Sequence, residues 1–184
     1  GNAKNCSYPN RVDVTTAEEL KAVVKTDHVC GEYKNNYRSA DNFVESAVAV
    51  MDCDNDHSEN KREWVTPEKI DEMLPDVSYA IAPSRNHMKQ KDDKTARPRF
   101  HVYFLINPCK DAMDYVKLKR RIQNAFPFFD DNALDAARFI FGADCDEVVW
   151  HDGWETIEEE LPVLQEDAER IGGFYIPEGR RNTT

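Results

Sequence analysis

Seven residues, Val48-Ala49-Val50-Met51-Asp52-Cys53-Asp54, constrain this chain more than any other stretch. A run of apolar residues ends abruptly in two aspartates spaced i and i+2. Side chains two apart on a strand share a face, so a buried strand ending here carries Asp52 and Asp54 side by side. Paired carboxylates repel unless a cation or a shared proton relieves them. Hard oxygen ligands at a rigid strand end suit Mg²⁺ or Mn²⁺, and such ions hold phosphate-bearing substrates. A solvated acidic turn is the plainer alternative, since Asn55 and Asp56 follow. The apolar run shifts the balance toward a metal site, because a buried strand holds its terminus still.

A chain of 184 residues can bury the core such a strand needs within one domain. The net charge of −11 argues against a protein that coats nucleic acid by bulk charge, while leaving room for a local basic channel. Five cysteines, an odd count without metal-type pairing, read as free thiols of a reducing compartment. No signal peptide and no membrane-length apolar run is visible, so a cytoplasmic protein without a membrane partner is expected. Residues 1–10 and about 175–184 are polar and read as flexible ends.

Between them, helices interleave with strands. Thr15 or Thr16 caps a helix through Ala17–Val24. Val44–Asp52 reads as a buried strand, and Thr66-Pro67-Glu68 opens a second helix with proline at its favoured first position. Val77–Ala82 and Phe100–Ile106 read as strands, separated by the polar segment Ser84–Pro98. Ala112–Phe126 reads as a helix with Met113, Val116, Ile122 and Ala125 on its apolar side, and Arg138–Phe141 with Glu147–Trp150 as a final strand pair. The class is mixed α+β.

Other residues converge on the acidic pair. At period two, Arg97, Arg99 and His101 share one strand face, and arginine forks with an imidazole N–H suit a triphosphate. A lone strand histidine is more often structural, and two arginines can merely solvate a strand's beginning. Ser84 and His87 open the polar segment and could contact phosphate, although such loops are usually only surface. Lys89, Lys91 and Lys94 make that loop basic. Further on, Asp130, Asp131 and Asp135 precede Arg138. Asp130, following two aromatics, can complete a three-carboxylate site, whereas Asp135 could be a turn residue paired with Arg138.

In this order the pieces resemble the catalytic domain of archaeo-eukaryotic-type primases, particularly the primase–polymerase domains of phages, plasmids and other mobile elements. Met51-Asp52-Cys53-Asp54 is similar to that family's D-x-D strand. Arg97-Pro98-Arg99-Phe100-His101 is similar to its strand histidine motif, with Arg99 where a small serine is usual. Phe129-Asp130, with Arg138 eight positions on, is similar to its third motif. Ser84-Arg85-Asn86-His87 looks like the Ser-His segment of the phage branch. The likeness spans about Val44 to Phe141, and the motif-bearing core about 44–150 of a single 1–184 domain.

The resemblance implies two α/β halves, one related to the RNA-recognition fold, with the site between them. It implies nucleotidyl transfer from nucleoside triphosphates on a single-stranded DNA template, by priming, extension or both. Asp52, Asp54 and Asp130 would hold two divalent ions, Mg²⁺ or Mn²⁺. His101, Arg97, Arg99, Arg138, Ser84 and His87 would bind the nucleotide. The segment Lys89–Arg99 and the helix bearing Lys117, Lys119, Arg120 and Arg121 are candidates for the template path. No Walker-type loop is present, so any helicase would be a partner or a further domain. A non-catalytic replication-initiator module, or another D-x-D enzyme such as a nuclease or sugar-nucleotide transferase, are the rival readings.

Overall fold

Strand β3 (Phe43–Cys53) is the centre of the molecule, and its alternation shows why. In the computed structural model, which describes residues 1–162, Ala49, Met51 and Cys53 are buried in one core while Val48 and Val50 pack into another. A strand buried on both faces needs apolar residues in both registers, which is what the run before Asp52 supplies. The end at about 175–184 lies outside the described residues.

β3 pairs antiparallel with β5 (Phe100–Cys109), whose other edge pairs antiparallel with β4 (Tyr79–Pro83). Short strands β2 (Glu32–Tyr33) and β7 (Val149–His151) complete a five-stranded sheet in the order β2-β3-β5-β4-β7. A separate two-stranded ribbon joins β1 (His28–Val29) to β6 (Phe139–Ile140). The fold is mixed α+β. The predicted pairing of the two last strands is corrected: β6 joins β1 and β7 joins β4, because both find longer-range edges.

The larger core lies beneath helices α2 (Pro67–Met73) and α3 (Ala112–Ala125), which bring Ile70, Tyr115, Leu118 and Ile122 onto Met51, Val102 and Phe104. Burying each such side chain contributes about 1.5–3 kcal/mol. On α3 the buried stripe is Tyr115, Leu118, Lys119 and Ile122, while Met113 is 69% exposed, so the apolar side read from Met113 is displaced around the helix. The Asp111 carboxylate caps this helix by accepting from Asp114 N–H.

The smaller core lies on the opposite face. Leu20 and Val24 of α1 (Ala17–Val24, capped by Thr16) meet Val50, Ala80, Ala82, Tyr103 and Ile140 there. Gly142 fastens β6 to the end of α1: its N–H donates to Asp27, and a Cβ on it would lie 2.5 Å from the Lys25 carbonyl oxygen. The first ten residues lie along the protein, with Tyr8 N–H donating to Asn36 O and Cys6 O accepting from Arg38 N–H. Among the described residues no helix is long and apolar enough to cross a membrane.

Candidate active site

Asp52 occupies the penultimate position of β3, directly opposite His101 of β5. Both are on the smaller-core side, at the end of the sheet where the apolar lining stops. Cys53, between the aspartates, faces the larger core and is fully buried. The chain then turns at Asn55, whose backbone is left-handed (φ 54°), a conformation asparagine tolerates. Asn55 is itself buried. Its amide donates to Val65 O and Pro98 O and accepts from Val65 N–H, so the turn behind the aspartates is fully tied. The sequence offered Asn55 only as part of a solvated acidic turn, and its burial corrects that reading.

Each carboxylate already has a basic neighbour. Arg138 Nη2 donates to Asp52 Oδ2 at 2.6 Å, and His101 Nε2 stands 3.4 Å from Asp52 Oδ1. That second approach lacks hydrogen-bond geometry, and among the described residues no other donor reaches the buried Oδ1. Lys91 Nζ lies 3.4 Å from Asp54 Oδ2. Burial lowers the pKa of His101, an effect that Asp52 and Asp54 oppose and Arg138 reinforces, so the imidazole is neutral at pH 7. The alternative pairing of Asp135 with Arg138 is not found among the described residues, where Arg138 turns to Asp52.

Asp52, Asp54, His101, Arg138 and Ser84 line one open cleft of about 400 Å³, together with Lys91, Asp135, Arg85 and Phe141. Asp130 lines a neighbouring cavity with Asp56, Gln123 and Phe128, although its N–H donates to Asp52 O at 2.9 Å. Its carboxyl is pushed up to about 6, first by burial and then by Asp54, Asp52 and Asp56. The three carboxylates are thus close enough to feel one another without sharing a cavity.

The structure does not bring Arg97 and Arg99 to this cleft. Both precede β5 and are wholly buried beneath the loop that follows β3. Arg97 donates to Asn55 O, Ser58 O, Thr95 and the Glu59 carboxylate, and lies over the Trp64 ring. Arg99 Nη1 donates to Asp54 O and Asp56 Oδ1. The period-two expectation fails because the strand does not begin until Phe100. These arginines set the position of Asp54 instead. His87 is also turned inward, with Nδ1 accepting from Arg99 N–H. Lys119 is not a surface cation either: it is buried, its ammonium donates to Ala133 O, and burial lowers its pKa to about 8.

The cleft offers a divalent cation two carboxylates, Asp52 and Asp54. Among the described residues no group of three or more His, Cys, Asp or Glu side chains is arranged to hold a metal ion. Asp52 and Asp54 nevertheless offer hard oxygens, Asp52 Oδ1 being buried without a donor among the described residues. Mg²⁺ is commonly held by one or two carboxylates completed by phosphate oxygens and water.

No protein-family model matches the chain, and no curated protein matches its sequence. Among solved structures it is similar to the AEP domain of the primase-polymerase (PrimPol) of cyanophage S-2L. The TM-score is 0.48 at 14% identity, covering 74% of this chain and 67% of that one.

Proposed function

We propose that this chain catalyses metal-dependent nucleotidyl transfer of the archaeo-eukaryotic primase kind, building or extending a primer on single-stranded DNA from nucleoside triphosphates. One arrangement carries the reading. The aspartates of the D-x-D strand, the histidine of the facing strand and the arginine beyond the third motif converge on one cleft.

Asp52 and Asp54 would hold Mg²⁺ or Mn²⁺ together with the triphosphate, and the ion would supply charge neutralisation at the reacting phosphate. Arg138 holds Asp52 in orientation by its hydrogen bond. Neutral His101 offers an N–H toward phosphate oxygen without repelling the cation. Lys91, at the cleft with its ammonium on Asp54, is placed to move onto the triphosphate when a cation takes its carboxylate. Asp130 supports the acidic cluster from the adjoining cavity and would join the ions as a third ligand only by a rotation of its side chain.

The test is incorporation of labelled nucleotides on single-stranded DNA with Mn²⁺ or Mg²⁺, with and without a primer. Wild type should incorporate, and Asp52→Asn/Asp54→Asn should lose at least about a hundredfold while keeping its circular dichroism. Undiminished synthesis by the double variant would overturn the site. Absence of synthesis by folded wild type would overturn the activity.

A further inference from the structure

The cleft is lined by two chemically different groups of residues. One comprises Asp52, Asp54, His101 and Arg138; the other comprises Phe139, Phe141, Arg38 and Arg85. The Arg85 guanidinium carbon lies 3.5 Å from the centroid of the Phe141 ring, in stacking contact. Phe141 in turn meets Phe139 edge to face, with centroids 4.7 Å apart at 82°. Arg38, over the Phe139 ring, spends its guanidinium on Ala137 O, Ala3 O and Asn5 O. Arg85 differs. Among the described residues no carboxylate or carbonyl takes its hydrogen bonds, although the chain carries a net charge of −11. Its side chain is exposed and rests on an aromatic ring.

We propose that Arg85 and Phe141 form a stacking platform for the nucleobase of a nucleoside triphosphate, a proposal that rests on the nucleotidyl-transfer reading. A nucleoside triphosphate matches both groups of residues, with anionic phosphates and their cation at one end and a flat π-system at the other. A guanidinium plane backed by a ring accepts any base by stacking, and its free N–H groups can donate to base or ribose oxygens. The cleft volume of about 400 Å³ lies in the range of small-molecule sites. Stacking reads the π-face and not the base edge, so the platform would be tolerant among bases. Synthesis directed by a template requires that tolerance.

The experiment is equilibrium binding to the full chain, in Mn²⁺, of ATP, inorganic tripolyphosphate and a short oligothymidylate, by calorimetry. Wild type should bind ATP about tenfold more tightly than tripolyphosphate. Arg85→Ala and Phe141→Leu should each remove most of that advantage, and Phe141→Leu should leave tripolyphosphate unchanged because it alters no charge. Arg85 is exposed, so its variant keeps the test valid should Phe141→Leu fail to fold. Equal wild-type affinity for ATP and tripolyphosphate would overturn the platform and leave the metal and phosphate site standing. An equal loss of both ligands in Arg85→Ala would make Arg85 a phosphate contact and overturn the platform. Weakened oligothymidylate binding with unchanged ATP binding would assign the wall to template and overturn it too. Binding of neither ATP nor tripolyphosphate by wild type would overturn the platform and the nucleotidyl-transfer reading together.

Discussion

Arg138 and Asp52 stand 86 positions apart in the chain and 2.6 Å apart in space. This charge-assisted hydrogen bond fastens the segment entering β6 to the end of β3. It leaves one oxygen of Asp52 for other partners and places a cation beside a carboxylate that burial would otherwise penalise. Much of the site's geometry depends on it.

Removing that bond should therefore act on both stability and titration. Arg138 is 34% exposed, so solvent screening limits the loss in Arg138→Ala to about 1 kcal/mol in urea unfolding. His101 loses a neighbouring positive charge, and its pKa should rise toward the ordinary imidazole value in an NMR titration. A His101 titration identical to wild type would contradict the arrangement.

Arg97 should behave as a structural clamp. Arg97→Ala leaves Asn55 O and Ser58 O without their buried donor, at a cost of about 2–4 kcal/mol. Arg97→Lys should recover less than half of it, because one ammonium cannot replace a fork serving several acceptors. Urea midpoints of the three proteins measure this, and a near-neutral Arg97→Ala would show that the loop is not held from beneath.

The raised pKa of Asp130 gives a pH signature. In the fold the carboxyl is pushed up to about 6, against 3.8 for an ordinary aspartate. The native state therefore binds the proton more tightly, and this group's stabilisation is complete below about pH 4 and lost as pH rises through about 6. Asp130→Asn should be more stable than wild type at pH 7.5, by on the order of 1 kcal/mol after screening. The two proteins should converge near pH 4. Thermal melts across that window measure the difference, and a constant offset would rule out the coupling.

Lys91→Ala should separate stability from cation binding. The ion pair with Asp54 is partly exposed at both ends, so its loss should change unfolding free energy by less than about 1 kcal/mol. Freeing Asp54 of its ammonium should tighten Mn²⁺ binding about fivefold, read by electron paramagnetic resonance. Weaker Mn²⁺ binding in this variant would mean that Lys91 orders the site and does not compete for it.

Much of this protein was legible locally. The apolar run before Asp52 and the β-branched and aromatic residues of Phe100–Ile106 located β3 and β5, while Thr15 or Thr16 and the Thr66-Pro67 pair marked helix starts. Asp52 and His101 were recognisable as candidates, and the structure sets them opposite one another. Burial of Arg97 and Arg99 was not legible, because two arginines read as solvated unless one knows that the loop from Asp54 to Glu59 folds over them. Lys119 was hidden for the same reason: only packing reveals that its neighbours are Tyr115 and the Ala133 carbonyl. Arg85 entered the sequence reading only as part of Ser84–His87 and with no role of its own, since its meaning lies in Phe141, which reaches it from the segment just after β6.

The sequence by itself determined where the strands and helices run and which strand ends in paired carboxylates, because hydrophobic period and capping act between near neighbours. Tertiary structure alone decided which strand edges pair, which cations are buried and which groups share the cleft with Asp52. Those outcomes depend on contacts between distant segments, whose desolvation and hydrogen bonding no local pattern records.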